Sequence, residues 1–175
     1  NSDAVNRLQA AGYNVYNTTI EDFAAVRSEF YDLVCSYQVL EHISDVKSFI
    51  KAKVDLLKKG GKLIISVPNN DSALLKPNYG GILNHPPHHQ GLWNKSSLLA
   101  LESLFPIEVR MIYFEPIQEY HWDWYLSIFY SKLEKQPIQR FIRKFPQLKS
   151  IIDWSLNIFK PSIKGHSILA VFEKK

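Results

Sequence analysis

Between Tyr31 and Asn69 the apolar and polar positions follow three successive rhythms. Tyr31–Ser36 is a short, mostly apolar run that ends in polar residues. Ile43, Val46, Ile50, Val54 and Leu57 then recur at helical spacing and define one face. Ser44 is placed to cap that helix, and Asp45 suits the positive end of its dipole. Lys58-Lys59 sits at the other end, and Gly60-Gly61 supplies the stop. Leu63–Val67 runs with almost no alternation, as a strand covered on both faces does, until Pro68-Asn69-Asn70-Asp71 ends it. A buried strand, a crossover helix and a second buried strand make a right-handed βαβ unit of a parallel sheet. Polar residues stand just past both carboxyl ends, where open α/β sheets bind ligands.

The flanking pattern predicts fewer regular elements before this unit than after it. Val5, Leu8 and Ala11 suggest a helix from Ser2 to Ala11 that Gly12 ends. Tyr13–Thr18 alternates with polar residues and suits a strand at a sheet edge. Asn70 to Asn94 has no period and contains Pro86-Pro87, which marks a long loop of the lid or binding type. A helix follows from Asn94, a good N-cap, to Leu104, and Ile107–Phe114 alternates as a strand closed by Glu115-Pro116. His166–Glu173 reads as the last strand. Residues 117–165 read as a helical insert with three apolar faces. These run from Tyr120 to Leu133, from Ile138 to Phe145 with a stop at Pro146, and from Leu148 to Phe159 with a stop at Pro161. The domain division is therefore a core of 1–116 and 166–175, with 117–165 inserted.

Composition narrows the classes. The chain of 175 residues is 46% hydrophobic and 22% charged, ordinary values for one globular domain. Its net charge of +4 comes with no arginine-rich stripe, so nucleic acid is not indicated. The single cysteine, Cys35, lies in an expected buried strand, where it reads as a small core hydrophobe, and its solitude fits a reducing, cytoplasmic setting. No apolar run reaches the roughly 18 residues of a membrane span. His85, His88 and His89 invite a metal reading, but no cysteine or carboxylate stands at ligand spacing, and no metal site is expected.

Tyr31-Asp32-Leu33-Val34, then Val39-Leu40-Glu41-His42-Ile43, then Leu57-Lys58-Lys59-Gly60-Gly61-Lys62-Leu63-Ile64-Ile65-Ser66-Val67-Pro68-Asn69 together resemble the middle of class I S-adenosylmethionine-dependent methyltransferases. The likeness is to the small-molecule group of ubiquinone-biosynthesis O-methyltransferases and sugar or polysaccharide methyltransferases. It implies an α/β fold with a Rossmann-like methyltransferase sheet, in which the last two strands are neighbours and the final one is antiparallel. It also implies S-adenosylmethionine as cofactor and a small-molecule, sugar or lipid-linked acceptor. Family members carry a glycine-rich turn and an acid-tipped second strand before the region seen here. None of the seven glycines makes such a turn, so the chain is expected to be a C-terminal portion, truncated at the N-terminus. The resemblance places Glu21 or Asp22 at the adenine and Ser36, Tyr37 and Gln38 along the cofactor cleft. It brings His88 or His89, from a Pro-Pro-His-His segment followed by Trp93, over the acceptor. His42, beside Glu41, is a further candidate base, whereas Glu41 itself can satisfy orphan N–H groups at the helix start.

Alternatives stand beside this reading. The chain could be a degenerate methyltransferase-like binding module. A nicotinamide dehydrogenase on the same fold fits the Glu41-His42 and Pro68-Asn69 context poorly. The basic insert could be a cap, a dimer contact or a surface for lipid or acceptor, since basic amphipathic helices bind anionic interfaces. A truncated sheet also leaves the Tyr31–Ser36 edge open. Either Tyr13–Thr18 moves inward to pair with it, or two copies join edge to edge, and self-association is the expected outcome.

Overall fold

The computed structural model describes residues 1–75, 81–134 and 144–175. Four strands form one sheet in the order β1-β2-β4-β3: β1 is Tyr31–Tyr37, β2 Leu57–Pro68, β3 Ile107–Pro116 and β4 Lys164–Lys174. β1 and β2 are parallel, while β4 runs antiparallel to both of its neighbours. The helices that lie wholly within the described residues are α1 (Ser2–Ala10), α2 (Ile20–Ala25), α3 (Val46–Leu56), α4 (Lys95–Leu104), α5 (Trp122–Glu134) and α6 (Pro146–Phe159).

The β1–α3–β2 crossover is the expected βαβ unit, with two local differences. Asp45, not Ser44, caps α3 by accepting from the Ser48 N–H at 3.0 Å. Gly60-Gly61 does not follow a helix end. Instead α3 stops at Leu56 and β2 starts at once, because Leu57 is fully buried and pairs with Tyr31. The register then slips, with Lys62 next opposite Leu33, so that Lys58–Gly61 bulge from the ladder. The bulge needs glycine: Gly60 has φ +77°, and a Cβ on Gly61 would sit 2.9 Å from the Lys58 carbonyl.

The core lies on one face of the sheet. Leu63, Ile65 and Val67 of β2, Ile168, Ala170 and Phe172 of β4 and Ile107 of β3 are fully buried against Ile50 and Val54 of α3 and Leu98 and Leu101 of α4. Period 2 sends the intervening residues to the opposite face, where Leu33, Tyr37, Met111 and Tyr113 are each about half exposed. Cys35 points the same way and is exposed, against the expectation of a core position. Strand β2 is accordingly less evenly covered than its unbroken apolar run suggests, with Ile64 only half-buried.

Tyr13–Thr18 forms no strand. A strand needs a ladder partner, and neither free edge of the sheet is offered to it. The segment is tied instead by the Gln9 side chain, which donates to the Val15 carbonyl at 2.8 Å, and by Arg27 lying over the Tyr16 and Phe23 rings. The inward pairing with β1 therefore does not occur. After β3 the described residues of 117–165 carry α5 and α6. Pro146 starts α6, a place that suits its missing N–H. The helix expected from Ile138 falls largely on residues 135–143, outside those described. Leu74, Ile117, Trp122 and Ile128 form a second small core beneath the insert.

Candidate functional site

Three segments converge beyond the carboxyl ends of β1 and β2. Gln38 turns the chain sharply, with φ +52° and its N–H donating to the Ser66 carbonyl at 2.9 Å. A 3₁₀ turn, Leu40–His42, follows and buries Leu40 and Glu41 while leaving His42 exposed. The loop after β2 then folds back over this turn. Its Gln90 and Gly91 N–H groups both donate to the Glu41 carbonyl, at 2.7 and 3.1 Å.

Asparagines hold the loop in that position. The Asn70 N–H donates to the Trp93 carbonyl at 2.9 Å, and the buried Asn84 side chain donates to Asn70 Oδ1 at 2.6 Å. Asn84 Oδ1 lies 2.7 Å from Nδ1 of His89 and accepts its proton. His42 Nδ1 lies 2.6 Å from the His88 carbonyl, which can only accept, so this nitrogen also carries hydrogen. The His42 and His89 rings meet edge to face, 4.8 Å apart. Their Nε2 atoms are the nitrogens left to accept a proton or bind a ligand.

Electrostatics favour uncharged groups here. Burial, and then the neighbouring His42 and His88, hold the His89 imidazole below its usual range. Burial pushes the Glu41 carboxyl up, against its own backbone N–H and then His42 at 3.9 Å, and Glu41 Oε2 is buried with no hydrogen-bond partner among the described residues. The N-cap of α3 itself is Asp45. One ligand atom each from Glu41, His42 and His89 lies within 4.8 Å of the others. A second pair stands nearby: His121, opening the insert, stacks on His166 at 5.3 Å, and burial lowers the pKa of both. The His166 carbonyl accepts from the Asn69 N–H at 2.7 Å, tying this pair to the end of β2.

The residues singled out from sequence divide as follows. His42 and His89 come together, whereas His88 contributes its carbonyl and leaves its side chain exposed. Ser36 is buried with a hydroxyl that has no partner among the described residues, Tyr37 is exposed, and Gln38 reaches toward Ser167 at 3.5 Å. Asp22 is engaged in a cap, accepting from the Thr19 hydroxyl at 2.8 Å while Thr19 accepts from the Asp22 N–H. Glu21 borders a shallow groove between α2 and α3 with Ser48, Lys51 and Asp55. Pattern reading missed Asn70, Asn84, His121 and His166. Only the break at Pro68-Asn69-Asn70 signalled any of them.

The profile of a family described as "Methyltransferase domain" matches residues 2–124. A ubiquinone biosynthesis O-methyltransferase of Cereibacter sphaeroides is 31% identical over 121 residues, covering 63% of this chain and 47% of that protein. The chain spans about half the length of the curated relatives it matches first. Among solved structures, a SAM-dependent methyltransferase from Thermotoga maritima superposes with a TM-score of 0.60 at 14% identity, over 95% of this chain and 67% of that one. Another from Archaeoglobus fulgidus gives 0.55 at 14% identity, over 94% and 69%. These likenesses establish the Rossmann-like methyltransferase fold.

Proposed function

Because the chain belongs to the methyltransferase-domain family, we propose that it forms part of an S-adenosylmethionine-dependent enzyme that methylates an oxygen of a small-molecule, sugar or lipid-linked acceptor. The observation that carries this reading is the His42–His89 ring pair at the carboxyl ends of a parallel βαβ unit. Relatives named for O-methylation in ubiquinone biosynthesis support oxygen as the accepting atom. Ser36, Tyr37 and Gln38 fit one wall of the cofactor cleft, since Ser36 holds a buried hydroxyl in want of a partner. The cofactor, when bound, supplies a methyl group made electrophilic by its sulfonium. The glycine-rich turn expected opposite that wall is proposed to lie outside these 175 residues, as is the cover of the half-exposed sheet face.

The chain's own residues have two tasks. The loop closing over Glu41 excludes water and positions the acceptor. A histidine removes the acceptor's proton, and His89, held neutral by burial, is suited to take it near neutral pH. In the methyl-transferring enzyme, the double change His88→Ala, His89→Ala lowers kcat far more than cofactor affinity. Equal losses in both would assign these residues to structure and overturn the reading.

The insert is proposed to face a lipid-linked acceptor or an anionic membrane surface. It carries eight Lys/Arg against four Asp/Glu, which accounts for the whole net charge, and α6 exposes Ile151, Trp154 and Ile158 along one stripe. Among the described residues no helix is long and apolar enough to cross a membrane. A cytoplasmic, membrane-peripheral setting suits both features, and co-sedimentation with anionic vesicles tests it. The open edge of β1 is proposed to pair with a second copy of the chain. A monomeric mass at high concentration would refute that.

A further inference from the structure

Alternation along the strands sets an island of polar side chains beside the apolar middle of the half-exposed sheet face. That middle is a row in which Ile64 of β2 and Met111 of β3 stand on either side of Val171 of β4. Toward the carboxyl end of β2 the rows change character. Ser66 and Tyr113 stand on either side of Leu169, Glu115 follows Tyr113 by two residues, and Ser167 precedes Leu169 by two. These five side chains line a cavity of about 170 Å3. Gln38, from the turn after β1, reaches toward the Ser167 hydroxyl at 3.5 Å, so the cavity adjoins the wall assigned to the cofactor.

Apart from that long contact, the Ser66, Ser167 and Tyr113 hydroxyls and the Glu115 carboxyl make no side-chain hydrogen bond among the described residues. Polar groups of this kind are costly to cover with apolar surface unless partners are supplied. We infer that the cavity holds one pyranose ring, a monosaccharide unit of the acceptor. A single such ring matches the cavity in volume. Its hydroxyls donate to Glu115 and exchange hydrogen bonds with Ser66, Ser167 and Tyr113, each of which both donates and accepts. A carboxylate accepts two hydroxyls side by side, the spacing that neighbouring hydroxyls on a ring present. The C–H face of the sugar packs on Leu169 and the Tyr113 ring. An aromatic diol offers two hydroxyls and otherwise apolar edges, too few groups to satisfy four polar side chains.

This inference rests on the acceptor reading above and narrows it to the sugar class. Ser66, Glu115 and Ser167 select the ring and fix its orientation, so that a hydroxyl outside their reach faces the cofactor wall at Gln38. They set which substrate is held and take no part in moving its proton.

The test uses the folded 175-residue chain. The probes are methyl pyranosides of gluco, galacto and manno configuration, with catechol and cyclohexanol for comparison. Saturation-transfer NMR detects contact, and amide shifts on titration give Kd. The expected result is saturable binding of at least one pyranoside with Kd on the order of 1 mM, as a ligand of its size allows. Glu115→Gln weakens that binding about 10-fold, the loss of a hydrogen bond to a charged group, and Ser167→Ala weakens it about fivefold. Glu108→Gln removes a carboxylate of the same strand outside the cavity and leaves binding unchanged. Melting curves by circular dichroism separate lost contacts from lost folding, and Ser167→Ala carries the test where Glu115→Gln does not fold. No pyranoside bound by the folded wild-type chain would overturn the inference. So would undiminished binding by the folded variants, or catechol bound more tightly than every pyranoside. In an intact enzyme containing this chain, methylation of a non-sugar acceptor at a rate that Glu115→Gln leaves unchanged would keep the methyltransferase reading and refute this inference alone. Pyranoside binding that depends on Glu115, without methyl transfer to any pyranoside, would keep the cavity and refute the acceptor reading.

Discussion

Replacing Asn84 by leucine tests whether the asparagine relay holds the loop over the site. Leucine keeps nearly the same volume but cannot accept from His89 Nδ1 or donate to Asn70 Oδ1, bonds of 2.7 and 2.6 Å. Asn84 is buried, whereas His89 and Asn70 are half-buried and partly recover water when the bonds are cut. Each lost bond then costs about 1 kcal/mol, the low end for groups that can rehydrate, or about 2 kcal/mol together. Since the segment is a loop joined to the core mainly through the Glu41 carbonyl and Trp93, the cost falls on its local opening. An opening equilibrium shifted by that amount changes about 30-fold. Hydrogen exchange reads it directly. The Gln90 and Gly91 amides, which donate to Glu41, should exchange about 30-fold faster in Asn84→Leu, while the Ile65 and Ala170 amides in the sheet core keep their rates. Exchange at Gln90 and Gly91 within twofold of wild type would refute the relay. A parallel loss of protection in the sheet would show that Asn84 supports the whole fold rather than the loop.

Glu41→Gln is expected to raise thermal stability at pH 7. Burial lifts the folded-state pKa above the ordinary 4.5, so the folded chain binds the proton more tightly. Its stability is full below pH 4.5 and declines as pH rises through the folded pKa; melting curves across that range should flatten in the variant. For His121 and His166 the sign reverses, since burial lowers both pKa values below 6.5, and stability present above 6.5 is lost as pH falls through the lowered values. His166→Phe should therefore blunt the acid loss of the insert, followed by tryptophan fluorescence, and an unchanged acid midpoint would argue against the pair. Gly165→Ala should cost about 1–3 kcal/mol in urea denaturation, because the added Cβ would lie 2.7 Å from the Pro116 carbonyl and the two strands would have to part.

Much of this fold was legible in the chain because it depends on local order. The βαβ unit shows as an apolar run, a helical period and a second apolar run, and the structure pairs Val34 with Leu63 and Ser36 with Ile65 in parallel. Asn94 reads as an N-cap from its chemistry, and it forms a full capping box with Ser97. Boundaries were less secure. Asp45 displaced Ser44 because capping depends on which side chain reaches the first free N–H groups, and neighbouring candidates differ by one residue. Tyr13–Thr18 alternates like a strand, but strand formation also requires a partner that local pattern cannot supply.

The apolar run of Tyr31–Ser36 was enough to predict a strand, yet not to say which face of it would be covered. Helices α3 and α4 both pack on one side of the sheet, and Cys35 and Leu33 face the other side and are exposed. The candidate site was legible to the same extent. Glu41-His42 and the His88-His89 segment stand out as residue types after a strand and in a loop, as sequence can show. That His89 rather than His88 meets His42, and that Glu41 is buried beside them, was decided by how residues 81–94 fold over the turn after β1. Its hydrogen bonds join residues such as Asn84 and Asn70 across 14 positions and Gln90 and Glu41 across 49. Periodicity reports only which side of its own element a residue takes; contacts at such separations form only once the chain has closed on itself.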